Sequence, residues 1–408
     1  MAGIGLGLTG LASTATGAVA SARTPQYLKF FNDKAPWVNQ INATGKLMAK
    51  SFGLGFQSVP YSSDAAYEAV LRSSLATSKA PALFSWWSGY QIQSLVKNGL
   101  AVNLTPEWKQ WSKLGVNPEI AKAFEVNGKY YGAPLYAAYW VVFYNTKVFH
   151  RYGLTPPTTW AQFMHLCAVL KSHGVAPLVS YSGPSFLGFA YFENFLIGSD
   201  PGLYDRLMAG KASYTSPGVV KVMKLWKHLI DLGYFASPNE LTATDFARGK
   251  VAMMLIGQWY ESSLLSAGLK PGSGYGAFLM PSSNPKAGKQ VIFETGPVVV
   301  AAHSPQKALA IQALNDFMRP GIQQEWDNLQ GFPPLEKAIK SENSVNLALA
   351  REVANGYKLH NRYWEATPPQ ISQYGSTQFI RFVLNPSQYM QVLRNIQSYA
   401  SQYWKSHR

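Results

Sequence analysis

Very little in this chain is spaced for bond-making chemistry. Ser283-Asn-Pro-Lys286 spells S-x-x-K, the arrangement in which a lysine amine activates a serine hydroxyl, but Pro281, Pro285 and Gly288 predict a loop there and no K-T-G follows. The seven histidines include no H-E-x-x-H, and His165 and Cys167 sit too close together on one predicted helix to share a zinc ion. Cys167 is the one cysteine, which rules out an internal disulfide and a thiolate cage, and its place on the apolar helical face over 160–170 predicts a small buried hydrophobe. Gly5-Leu-Gly7-Leu-Thr-Gly10 has the spacing of a phosphate-binding loop without the strand that such a loop must follow. A glycoside hydrolase would need two facing carboxylates, a pair such as Asp33 and Glu294, and the scarcity of acids makes such a pair less expected. No metal and no cofactor is expected. The better-supported chemistry is recognition: three short segments combine aromatic rings with small polar side chains, namely Phe31-Asn32-Asp33, Trp86-Trp87-Ser88 and Gly257-Gln258-Trp259-Tyr260.

The elements that must hold these segments alternate between strand and helix. Residues 27–31 read as a strand, 35–51 as a helix, 54–59 as a strand, 63–79 as a helix capped by Ser62 or Ser63, and 81–86 as a short buried strand. Residues 141–144 form another strand, and Thr159-Trp-Ala-Gln162 is a capping box that opens a helix running to His173 and stopped by Gly174. Two further buried strands are expected at 251–256 and 297–302, and the tail from 367 is helical and aromatic. Such alternation predicts a mostly parallel sheet covered on both faces. In open α/β sheets a ligand meets the loops beyond the carboxyl ends of the strands, and that rule selects the three aromatic segments. Neighbouring residues at a strand end point opposite ways, so one of Trp86 and Trp87 should be core. Asn32 and Asp33 fit equally well as caps for the helix that begins near Ala35.

With 408 residues, 47% of them hydrophobic, and a mean hydropathy of -0.08, the chain can build a large core in two lobes. Lys and Arg number 36 against 21 Asp and Glu, a net charge of +15, although charged residues make up only 14% of the chain where about 25% is ordinary. The excess therefore comes from missing acids. The basic residues are scattered singly, which argues against nucleic acid as a partner. An acidic medium or an anionic envelope surface suits this balance. Residues 1–22 are small and apolar and end in Ala20-Ser21-Ala22, like the apolar region and cleavage site of a secretory signal without its basic start. They contain no cysteine to take a lipid anchor, and no later stretch approaches 18 uninterrupted apolar residues.

Longer motifs point to a family. Val126-Asn-Gly-Lys-Tyr-Tyr-Gly-Ala-Pro134, then Phe143-Tyr-Asn145-Thr-Lys147 and Pro156-Pro-Thr-Thr-Trp160, resemble in order and spacing the extracellular solute-binding proteins of carbohydrate ABC transporters. Phe246-Ala-Arg-Gly-Lys250 with Gly257-Gln-Trp259, Gly276-Ala-Phe-Leu-Met-Pro281, residues 307–317 and Gly331-Phe-Pro-Pro334 continue the pattern, which covers about 27–400. The resemblance implies an α/β fold of the periplasmic-binding-protein kind, with two lobes, a hinge of several crossings and a ligand cleft between the lobes. It places the first crossing near 133–139, the second near 294–297 and a third after Gly331. Lobe one is then 23–136 plus 298–333, lobe two is 137–297 plus 334–408, and 1–22 is the signal-like segment.

The implied ligand is a sugar or oligosaccharide, whose apolar C-H faces want aromatic platforms and whose hydroxyl rims want short polar side chains. Trp86 and Trp259 match positions where maltose-binding members stack a sugar ring, whereas Gly89-Tyr90 replaces the charged pair that those members carry after the first tryptophan. The candidate contacts are Asn32, Asp33, Trp86, Trp87, Gln258 and Trp259, with Glu294 at the second crossing, Tyr139 and Trp140 after the first, and Tyr181 and Phe332. The expected protein is a monomer outside the cytoplasm that hands its ligand to ABC permease subunits and is not an enzyme. A glycoside hydrolase, or a binding protein for an anionic ligand such as a sugar phosphate, are the alternatives.

Overall fold

The structure, a computed structural model, describes residues 24–183, 187–238, 243–337 and 339–407. The signal-like segment and the glycine motif at 5–10 lie outside these residues. Eleven strands appear among them: β1 (Gln26–Asn32), β2 (Leu54–Pro60), β3 (Leu83–Ser85), β4 (Glu125–Val126), β5 (Lys129–Tyr130), β6 (Ala133–Asn145), β7 (Ala176–Leu178), β8 (Val251–Gly257), β9 (Tyr275–Phe278), β10 (Gln290–Val300) and β11 (Lys358–Asn361). Nine of them join in the order β2-β1-β3-β10-β6-β8-β7, with β11 beside β10 and β9 beside β6, while β4 and β5 form a separate hairpin.

Each half of this sheet follows from local sequence. In β1 the inward Leu28 and Phe30 are buried while Tyr27 and Lys29 are exposed, the period-two pattern of a strand whose two faces differ in cover. The helix Val38–Phe52 lays Ile41, Met48 and Ala49 against β2 and ends at Gly53, whose left-handed backbone (φ 79°) only glycine takes without strain. The helix Asp64–Ser74 starts where expected, with Ser63 as its cap, but stops short of 79. There the hydroxyls of Ser73 and Ser74 turn back onto the Val70 carbonyl, the local bonding by which serines compete with helix continuation. The capping box at Thr159 and Gln162 is present, and the helix Trp160–Ser172 buries Cys167 as a core residue.

Two strands differ from expectation in a way that sets up the cleft. Both β6 and β10 are far longer than the buried runs that announce them, and each changes partners along its length. Residues 133–139 of β6 pair with β10, whereas residues 140–144 pair with β8. Likewise β10 lies beside β11 at 290–293 and beside β3 at 298–300. These two antiparallel strands tie the two α/β halves together, so the sheet is mixed rather than mostly parallel. The parallel pairs are β1 with β2 and β3, β7 with β8, and β10 with β11. A register shift between Gly296 and Pro297 bends β10 where it passes from one half to the other.

Candidate functional site

Between the halves, beyond the carboxyl ends of β1, β2, β3, β8 and β11, lies a cavity of about 770 Å³. Its walls follow the strand order. The turn after β1 contributes Asp33, Lys34 and Trp37, the turn after β2 contributes Tyr61, Ser62, Ser63 and Asp64, and the turn after β3 contributes Trp87. The other half brings Gly183 and Trp259, and the crossing region brings Tyr136 of β6, Glu294 of β10 and Arg362 just after β11.

Glu294 is the hub of the cavity floor. One carboxylate oxygen, Oε1, accepts the indole N–H of Trp140 at 2.9 Å and that of Trp259, and the other is 2.9 Å from an Arg362 guanidinium nitrogen. Arg362 is itself held by Glu365 through Nε at 2.8 Å and through a second nitrogen, and its guanidinium lies over the rings of Trp140 and Phe189. All three ionic side chains are almost fully buried, so each charge depends on the others for solvation. This arrangement fixes the plane of Trp259 from behind and leaves its ring on the cavity wall. Gly257 must be glycine for the same reason, since a β-carbon there would collide with the Trp259 indole and stand 2.7 Å from the Glu294 carboxylate.

On the facing wall Asp33 accepts from the Ser85 hydroxyl at 2.7 Å and pairs with Lys34 at 2.8 Å. The Lys34 ammonium sits over the rings of Trp37 and Tyr136, 5.5 and 5.6 Å from their centres. Asp64 occupies the first turn of its helix, and burial followed by the neighbouring Asp33 charge pushes its carboxyl up to about 6.

Of the sequence-derived candidates, Asp33, Trp87, Trp259 and Glu294 meet in this cavity. The others sit behind it. Trp86 turns into the core beside Phe84 and donates to the Gln91 carbonyl at 3.1 Å, so of the adjacent pair it is Trp87 whose ring lines the wall. Asn32 is buried and staples its own turn, donating to Ser58 and accepting from the Lys34 amide. Gln258 accepts from the Tyr139 amide and donates to Asn346, joining β6 to the helix Ser344–Ala354. Trp140 backs Glu294, Tyr139 packs on Phe293, Tyr181 donates to the Leu255 carbonyl, and Phe332 lies beneath Trp37 and Tyr136. Lys34, Trp37, Tyr61, Ser62, Ser63, Asp64, Tyr136 and Arg362 were not anticipated. The strand-end rule covers the loop after β2 and finds residues 61–64, but it is silent on Tyr136, which lies inside a crossing strand.

This geometry yields a discriminating pair of substitutions. Trp87→Leu, which keeps apolar bulk but removes the ring plane, should weaken ligand binding by about tenfold. Trp86→Phe, which drops a core N–H bond and part of a buried ring, should change affinity by less than about threefold while costing about 2 kcal/mol of stability. Calorimetric titration of both variants decides the matter, and equal losses of affinity would show that the wall is misassigned.

The comparisons agree with this architecture. Residues 56–323, well over half of the chain, match the family described as bacterial extracellular solute-binding protein, and the chain belongs to that family. An ABC transporter extracellular-binding protein of Pyrococcus horikoshii is 26% identical over 226 residues, covering 52% of this chain and 50% of that one. The glucose-binding protein GlcS of Saccharolobus solfataricus is 27% identical over 197 residues, 44% of this chain and 36% of that one. The match thus spans about half the length of these curated relatives or less. Among solved structures a chitin oligosaccharide binding protein superposes with a TM-score of 0.81 at 19% identity, covering 92% of this chain and 98% of its own. The fold is therefore the two-domain α/β fold of periplasmic binding proteins.

Proposed function

We propose that this chain binds a sugar or short oligosaccharide outside the cytoplasm and delivers it unaltered to the membrane subunits of an ABC importer. The observation that carries the reading is the cavity wall itself: Trp37, Tyr61 and Trp87 from one half face Trp259 from the other, with Ser62, Ser63 and carboxylates at the rims. Flat apolar rings and short polar groups match the two kinds of surface that a pyranose offers. Family membership and the sugar ligands in the names of GlcS and the chitin oligosaccharide binding protein support it.

Lobe one is assigned to 23–136 plus 298–333 and lobe two to 137–297 plus 334–408, because β6 and β10 change partners near those limits. A ligand that touches rings on both lobes draws them together, and such closure is what permease subunits would read. The protein acts as a monomer in this reading. Catalysis is disfavoured because a glycoside hydrolase needs two available carboxyl groups, and of the three on this wall Asp33 and Glu294 already have both oxygens occupied by protein donors, which leaves Asp64 alone. An anionic ligand is disfavoured because both cations on the wall are paired with carboxylates.

The test is a thermal-shift panel of neutral sugars and sugar phosphates, followed by small-angle scattering and chromatography with the best hit. A ligand at 100 times its Kd should stabilise the protein by about 2.7 kcal/mol. It should also shrink the radius of gyration and be recovered intact. A sugar phosphate as sole hit, cleavage of the ligand, or binding without contraction would each refute a stated part of this reading.

A further inference from the structure

The charge of the cleft runs against that of the chain. Against a net +15 overall, the cavity wall carries three carboxyl side chains, Asp33, Asp64 and Glu294, and only two cations, Lys34 and Arg362. Both cations are taken, Lys34 by Asp33 and Arg362 by Glu294 and Glu365. Two of the three carboxylates are also taken, by Ser85 and Lys34 at Asp33 and by two indoles and Arg362 at Glu294. Asp64 is the exception: among the described residues it has neither an ion pair nor a side-chain hydrogen bond. It shares its stretch of wall with Tyr61, Ser62 and Ser63.

The cleft also shows how it receives an ammonium group. The Lys34 Nζ lies between the Asp33 carboxylate and the faces of Trp37 and Tyr136, a carboxylate and aromatic rings sharing one positive charge. Asp64 lines the same wall as the rings of Tyr61 and Trp87 and has no cation paired with it, so a carboxylate and aromatic rings are again present in one stretch of the cavity. We propose that the sugar this cleft selects carries a protonated amine, an amino sugar, and that Asp64 is the specificity-determining residue that meets it. The inference rests on the sugar-binding reading above and adds the charge class of the ligand. A uronate or phosphate would face Asp64 with no unpaired cation to receive it. A neutral sugar can donate hydroxyls to Asp64 but brings it no counter-charge, and the Lys34 and Arg362 charges and the helix N-terminus, which favour its ionised form, act on it without pairing with it. Burial and Asp33 set the Asp64 carboxyl at about 6, so the preference for an amine is present above that pH and fades as pH falls through it.

The experiment is calorimetry at pH 7 on three skeletons, glucose, galactose and the β-1,4-linked glucose disaccharide. Each is offered as the neutral sugar, as its 2-amino-2-deoxy form and as its uronate, with 1,4-diaminobutane as a non-sugar amine. On the best-bound skeleton the amino form should bind about tenfold tighter than the neutral form, and the uronate weakest. Asp64→Asn should bring the ratio of amino to neutral affinity close to one, whereas Asp64→Glu should keep most of it, with circular dichroism checking that both variants fold. Equal binding of amino and neutral forms, a preference for the uronate, or an unchanged ratio in Asp64→Asn overturns the proposal and leaves the sugar-binding reading standing. Failure of every sugar to bind, or a preference for the diamine over all of them, removes both.

Discussion

Arg362→Met should lower the thermal midpoint by roughly 5 to 10 °C near neutral pH. Among the described residues the guanidinium is the only positive group holding two buried carboxylates, Glu294 and Glu365, whose side chains are 1% and 2% exposed. Methionine preserves much of the packing over Trp140 and Phe189 but leaves both acids without a counter-charge. Orphaning buried charges of this kind costs about 3 to 5 kcal/mol, far more than the net worth of an intact pair. The neighbouring Glu193 adds to the cost, since burial already pushes its carboxyl well up and the Arg362 charge is one of the influences pulling it down. Without that charge the orphaned acids escape by taking up protons, so the deficit should shrink by pH 5. Arg362→Met combined with Glu365→Gln should lose less than the single variant, because one of the two stranded charges is gone. Melting curves at pH 5 and pH 7.5 measure all of this. A single variant within about 1 °C of the parent at pH 7.5 would mean that the triad is not what holds Glu294 and, through it, Trp259.

The contrast between Arg362 and Trp259 explains what could be read from the sequence. Trp259 follows a run of seven buried residues, Val251–Gly257, that announces its strand without ambiguity, and the strand-end rule then delivers the tryptophan to the cleft. Arg362 follows Lys358–Asn361, four residues with no alternation and one buried side chain, which look like a loop until β10 pairs with them. Long-range pairing, not local propensity, makes that strand. The segment 61–64 signals only a helix start in the sequence, although the serines there, among them the cap Ser63, also line the cavity. Tyr181 and Phe332 fail in the opposite sense. Both are aromatic residues in suitable loops, yet whether a loop ring faces outward or packs beneath its own lobe is not a periodic property, and Phe332 spends its ring supporting Trp37 and Tyr136. The pair Trp86 and Trp87 shows the limit most plainly: alternation requires that one be core, but the choice depends on which face of β3 the lobe covers.

Stability should rise, not fall, as the medium is acidified from pH 8 to about 5. Among the described residues six acidic side chains have carboxyls raised above their ordinary range: Asp64, Glu193, Glu261, Asp327, Glu336 and Glu365. Burial is the first cause in each. It sets Glu261 and Asp327 at about 8 and Glu336 at about 7, with the Glu336 charge adding to the rise at Asp327. The oxygens of Asp327 and Glu336 have no hydrogen-bond partner among the described residues, whereas Glu261 is held by Tyr275, Asn343 and Asn346. A carboxyl raised in the folded state contributes stability that is complete below its unfolded value near 4 and is lost as pH climbs through the folded value. The window of loss is therefore about pH 5 to 8. At about 1.4 kcal/mol per pH unit, taken at half weight for water that reaches the carboxyls as they ionise, Glu261, Asp327 and Glu336 together account for on the order of 5 kcal/mol across that window. The midpoint should be roughly 5 to 10 °C higher at pH 5 than at pH 8. In more acidic media the growing positive charge of the chain repels itself, and that ends the gain. Asp327→Asn and Glu336→Gln, which remove the titrating group without removing a bond, should raise the midpoint at pH 8 and flatten its dependence on pH. A midpoint that is flat or rises between pH 5 and 8 would mean these carboxyls are solvated in the folded protein, and the scarcity of acids would then have to be explained by attraction to an anionic surface instead of by an acidic exterior.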